Sequence, residues 1–172
     1  MKTKLFSLLI IIILMGCEKE NEYIPNPDQE IFFQLEYINY AWSYQHSGWM
    51  IDSSGDVRGF KLPKTWTFID SNGFISSIDM KKNIEQLDTV FTKIDKDSLS
   101  KYVSKILNAS KGKITEPKTE RFDAGSSLFS AFIYDSKLKK YKQVIIKQTG
   151  DLFIDNLSIE ANEIYNWMTN IR

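Results

Sequence analysis

The stretch from Ser127 to Arg172 constrains the fold most tightly. "SLFSAFIYD" and "YKQVIIKQT" are two apolar, β-branched and aromatic runs separated by the basic loop "SKLKK". Short runs of this composition bounded by polar turns form strands, and their closeness in sequence makes them an antiparallel hairpin. Gly150-Asp151 then turns the chain into a third strand, "LFIDN". Ser158 is placed to cap a final helix, and Glu160 in its first turn suits the helix dipole. Ile159, Ile164, Trp167, Met168 and Ile171 form its apolar stripe.

Upstream, Leu99, Tyr102, Val103, Ile106 and Leu107 recur with helical spacing. Asp95 or Asp97 can start that helix, and Gly112 can end it. Ile84, Leu87, Val90, Phe91 and Ile94 also fit helical spacing, although residues 89–94 read equally well as a strand. Residues 110–121 are a polar loop. Two earlier stretches echo each other, "WMIDSSGDV" and "WTFIDSNGFI". Asp and Ser start turns by bonding their own backbone and Gly supplies positive φ, so both predict hairpins of a meander. Residues 31–51 are dense in Phe, Tyr, Trp and Ile, which favours strand at least in the second half, although Ile31, Leu35, Ile38 and Trp42 also fit helical spacing. Alternation there places Ile38, Tyr40, Trp42 and Tyr44 on one face, with a turn at Ser47-Gly48. Strands, helix, strands, helix is the order of an α+β domain: an antiparallel sheet of meander hairpins with two or three helices packed on one face.

The first 30 residues are different. Met1-Lys2-Thr3-Lys4 is basic, and Leu5 to Met15 is apolar except for Ser7. Eleven residues are too few to cross a hydrocarbon core, which needs about 20 as a helix. They have the length and flanks of a signal-peptide core. The run ends in Leu14-Met15-Gly16-Cys17, and Cys17 is the only cysteine. This segment resembles the lipobox of bacterial lipoprotein precursors. The resemblance covers residues 1–17 and implies cleavage before Cys17, whose thiol would carry the lipid. A single cysteine has no partner for a disulfide within one chain. "EKENEYIPNPDQE", residues 18–30, has little to bury and reads as a flexible acidic tether. Its acids resemble the surface-export signals of some Bacteroidetes lipoproteins, and a solvated spacer explains them equally. The expected organisation is therefore a signal peptide over 1–16, lipidated Cys17 and tether over 17–30, and one domain over 31–172.

Loss of residues 1–16 removes two lysines and no acid, leaving 20 basic residues against 22 acidic. A near-neutral chain of this kind lacks the basic face that nucleic acid requires. With 11 Phe, 8 Tyr and 4 Trp, the body has ample material for a packed core without disulfides.

Signals for catalysis are sparse. His46 is the only histidine, and no nucleophile motif accompanies it. One histidine without a free cysteine is a poor zinc set. Asp52-Ser53-Ser54-Gly55-Asp56 faintly resembles a calcium loop, but its glycine comes early and the closing glutamate is missing, so turn chemistry explains it better. Glu36, Asp52, Asp56, Asp70, Asp123 and Asp155 could supply a carboxylate pair for glycoside hydrolysis, which sequence spacing alone does not position. The basic loop at Lys137-Leu138-Lys139-Lys140 could meet an acidic partner or simply be solvated. The strongest feature is the aromatic set Tyr40, Trp42, Tyr44, Trp49 and Trp66. Exposed, these rings would stack on sugars or grip a peptide; buried, they are core. The sequence thus points to a lipoprotein of the bacterial envelope, held on a membrane through Cys17, with the outer membrane expected and surface exposure open. Its domain is expected to bind a protein, peptide or glycan without cofactor, metal or catalysis. A small carboxylate hydrolase and an inhibitor or immunity-type protein are the alternatives.

Overall fold

The structure, a computed structural model, describes residues 24–171. The expected signal peptide, Cys17 and most of the tether lie outside these residues. The domain is α+β. Nine strands form one antiparallel sheet: β1 (Ile31–Asn39), β2 (Gln45–Asp52), β3 (Asp56–Lys61), β4 (Phe74–Ser76), β5 (Val90–Lys93), β6 (Lys118–Thr119), β7 (Ser126–Asp135), β8 (Lys140–Gly150) and β9 (Leu152–Asp155). The helices are α1 (Ser77–Ile84), α2 (Lys96–Val103), α3 (Ile106–Ala109) and α4 (Ile159–Met168).

Two meanders, β1-β2-β3 and β7-β8-β9, are joined where β1 pairs with β7, giving the order β5-β3-β2-β1-β7-β8-β9-β6. The outer edge of β8 is shared. Its first residues pair with β4, and Lys147 and Gln148 pair with β9.

Successive strand residues point to opposite faces, and the core divides accordingly. Trp49 and Ile51 enter one cluster with Leu99, Val103, Ile106, Ile164 and Met168, so α2, α3 and α4 cover that face. Met50, between them, enters the other cluster with Ile31, Ile75, Met80 and Phe132, beneath α1. Residue 32 is a bulge between the Ile31↔Asp52 and Phe33↔Ile51 pairs, which lets Phe32 and Phe33 both join the helix-rich side.

Local chemistry accounts for the boundaries. Asp95 accepts the N–H of Ser98 and Ser158 accepts that of Ala161, as the caps of α2 and α4. The helical stripe over 99–107 is interrupted at Ser104-Lys105, dividing it into α2 and α3. Ser76 caps α1 by accepting the N–H of Asp79, while its hydroxyl donates to the Asp79 carboxylate. The ambiguous segment 89–94 contains a strand, β5, on the outer edge of β3.

The two echoing stretches make the same turn and meet different fates. Asp52 Oδ1 accepts the N–H groups of Ser54 and Asp56, and Asp70 Oδ1 accepts those of Asn72 and Phe74. Gly55 and Gly73 sit at φ of 84° and 82°. The first turn closes the β2–β3 hairpin. The second closes no hairpin, because residues 66–69 are not a strand; β4 leaves that turn to pair with β8.

The turn expected at Ser47-Gly48 is also corrected. Both residues are inside β2, and the chain reverses at 40–44. Gly48 serves packing instead. A Cβ there would lie 1.9 Å from the Leu35 carbonyl oxygen and 2.9 Å from the Phe60 ring.

Candidate functional site

The two ends of β1 form two poles. At its start, the residues expected to end the tether are fastened to the sheet. Gln29 is buried; its amide nitrogen donates to the carbonyls of Ile31 and Phe132, and its oxygen accepts the N–H of Tyr134. The N–H of Glu30 donates to the Tyr141 hydroxyl. Burial holds the Tyr141 phenol above its ordinary pKa. At the far end of β1, eight residues and roughly 26 Å away at about 3.3 Å per residue, the chain enters the loop that carries Tyr40, Trp42 and Tyr44.

The base of that loop is tied down. Asn39 Oδ1 accepts the N–H of Ala41, an Asx turn, and Asn39 Nδ2 donates to the Asp123 carbonyl and the Tyr37 hydroxyl. Tyr37 donates onward to the Ala124 carbonyl, and the Asp151 carboxylate accepts the N–H groups of Ala124 and Gly125. Gly125, at φ 70°, is required: a Cβ would come within 2.8 Å of Ile38, Asn39 and Tyr37 atoms. The loops at 40–44 and 121–125 are thereby sewn together beneath rings that remain in water. Tyr40, Trp42 and Phe122 are 72%, 78% and 85% exposed. Tyr40 and Tyr44 lie 5.4 Å apart, centroid to centroid. Partial burial first, then the neighbouring Tyr40 and Glu36, raises the Tyr44 phenol above its usual pKa.

Behind Tyr44 the ribbon of rings continues inward. His46, only 1% exposed, is surrounded by Phe60, Trp66 and Phe68, with ring centroids 5.2, 5.2 and 5.4 Å away. Trp66 is half-buried and packs on Phe60 at 4.3 Å. His46 Nε2 lies 2.8 Å from Glu36 Oε1, while Nδ1 has no partner. The cavity beside Glu36, lined also by Trp66, Thr67 and Asn83, is of single-water size. His46 does not line that cavity and is closed off from solvent by the surrounding rings. The His46–Glu36 pair is a buried support of the aromatic pole.

The aromatic set is thus divided. Tyr40, Trp42 and Tyr44 project from one loop. Trp66 backs His46 on the same side of the sheet. Trp49 points through the opposite face into the α2–α4 core, away from the others. Phe122, Leu62 and Phe68 add exposed apolar surface that sequence periodicity did not single out. Their signal is an isolated apolar residue within a polar loop, which is too common to be read unaided.

The carboxylates are engaged separately. Asp52 holds its own turn and lies 3.8 Å from Arg58. The Lys93 ammonium, 2.8 Å away, holds Asp56 below the usual carboxylate range, and Asp155 bonds Lys147 at 2.7 Å. Among the described residues, no group of three or more His, Cys, Asp or Glu side chains is placed to hold a metal ion. No described helix is long and apolar enough to span a bilayer. Compared with family models, curated proteins and solved structures, the chain matches none of them.

Proposed function

We propose that this protein is a lipid-anchored envelope lipoprotein, acylated at Cys17, whose domain presents the aromatic pole to a glycan or peptide ligand without catalysing a reaction. The observation that carries the binding part is the contrast at that pole between a tied-down backbone and exposed rings. Rings held in water without a contribution to the core cost solubility, and large apolar side chains exposed at one end of the sheet mark an interaction surface. A rigid base lowers the ordering cost of binding. Tyr and Trp offer a flat apolar face for a sugar or a peptide side chain and a polar edge for hydrogen bonding. The anchoring part rests on the basic start, the apolar run and Gly16-Cys17.

Two variants test the two parts. Cys17→Ser is expected to abolish fatty-acid labelling and membrane fractionation; retention of both contradicts the anchor. A panel of oligosaccharides and extended peptides, titrated against tryptophan emission, is expected to yield ligands that Tyr40→Ala/Trp42→Ala binds at least about tenfold more weakly, the scale of a lost hot spot. Ligands bound equally by both proteins contradict the aromatic site.

A further inference from the structure

The pole opposite the aromatic loop carries its own surface. The β7–β8 hairpin tip exposes Lys137, Leu138, Lys139 and Lys140, with Leu138 64% exposed. The N–H of Ser77 donates to the Lys139 carbonyl, which brings the first turn of α1 alongside, including Ile78, 70% exposed. Two aliphatic side chains among lysines thus face water together. Asp135 accepts the N–H groups of Lys137 and Leu138, and Asp79 pairs with Lys82; the exposed Asp28 and Glu30 lie at the same end, where Lys137, Lys139 and Lys140 outnumber them. Among the described residues, Lys137, Lys139 and Lys140 make no ion pair. Lys139 occupies φ 49°, a left-handed position that Gly or Asn would adopt more cheaply.

The location gives this surface its meaning. Tyr134 and Tyr141, which pair at the base of the hairpin, are the residues that hold Gln29 and Glu30. The basic tip is therefore beside the point where the tether joins the sheet. Eleven residues, 18–28, separate Gln29 from Cys17 and reach at most about 40 Å.

We propose that the hairpin tip, through Lys137, Lys139 and Lys140 with Leu138 and Ile78, docks on the anionic headgroups of the membrane that carries the Cys17 lipid. Lysines next to exposed aliphatic side chains match a surface of lipid phosphates over a hydrocarbon boundary. The tether glutamates are repelled from such a surface, so the charge complementarity belongs to the hairpin. Docking sets the domain upright with the aromatic pole outward. The inference rests on the lipid-anchored reading above.

The test uses the full lipidated protein in vesicles of phosphatidylcholine with or without about one-third phosphatidylglycerol. With Cys17 acylated, Leu138→Cys or Trp42→Cys supplies the only free thiol for a fluorescent label, read by a lipid-borne quencher. In anionic vesicles the label at 138 is expected to be quenched about threefold more than the label at 42. That difference should vanish in 1 M salt, where the screening length is about 3 Å, and in Lys137→Glu/Lys139→Glu/Lys140→Glu. Protein that floats with vesicles while its two labels are quenched equally overturns the docking surface and leaves the anchor standing. Protein that floats with no vesicles overturns both.

Discussion

The two ends of β1 contain aromatic and polar residues in similar abundance and use them in opposite ways. At the start, Gln29 is buried and every polar atom of its amide meets backbone, while Tyr141 and Phe132 close over it as core. At the end, Asn39 performs the same stitching with its amide, but Tyr40 and Trp42 beyond it are left in water. In both places an amide side chain fixes the backbone. Only at the first does the fixed backbone serve a hydrophobic core. A folded chain can thus hydrogen-bond the base of a loop without burying what the loop carries, and this separation of backbone anchoring from side-chain burial is what the aromatic pole displays.

The largest effect expected within this comparison comes from a tryptophan that belongs to neither end. Trp49→Ala opens a cavity among α2–α4 and should cost about 3–5 kcal/mol in urea unfolding, whereas Trp42→Ala should stay within about 0.5 kcal/mol of wild type. Equal losses would erase the distinction between core and presented rings. Next is Gln29→Ala, which strands the Phe132 carbonyl and the Tyr134 N–H and should cost about 1–3 kcal/mol. Hydrogen exchange is expected to rise at Tyr134 and to stay unchanged at Ala41. Asn39→Ala should cost about the same or less, because its bonds are partly in water, and should speed exchange at Ala41 while leaving Tyr134 protected. If either variant loosened both ends, the poles would be one unit.

The smallest effect is a pH dependence. The pKa of Tyr141 is raised in the folded protein by burial, so the folded state holds its proton longer than the unfolded chain does. Its contribution is fully present below the unfolded value near 10 and is lost as pH rises through the higher folded value. Melting temperature should therefore fall above about pH 10, with a shallower slope in Tyr141→Phe. Identical slopes would remove Tyr141 from the account.

The sequence made one half of the molecule legible and concealed the other for a physical reason. From Ser127 onward, each strand is followed by a polar or glycine-bearing turn, and Ser158 caps the last helix, so local chemistry and final structure agree. The β1–β2 hairpin turns instead at 40–44, where no Gly or Asn-Gly marks it; the Asx turn of Asn39 was the available signal. Gly48 looked like the turn residue but exists so that β1 and Phe60 can approach. A misplaced turn changes every cross-strand partner, which is why sequence spacing does not pair Glu36 with His46 ten residues away. The second Asp-Ser-x-Gly stretch predicts a turn, which forms, and a hairpin, which does not, because pairing of β4 with β8 is a long-range choice that no local pattern encodes. Helix α1 carried a readable cap in Ser76 and Asp79, obscured by the strand-like residues before it.

The claim at the centre of this account is that Trp42 is held for a ligand and not for the fold. Ligand-induced thermal shift of Trp42→Ala, measured with whichever glycan or peptide stabilises the wild type, tests it most directly, because a ligand raises the melting temperature only through binding to the folded state. The account predicts a ligand-free melting temperature equal to that of wild type and a ligand-induced shift reduced to near zero. A full shift in the variant, or a ligand-free drop as large as that of Trp49→Ala, would contradict it.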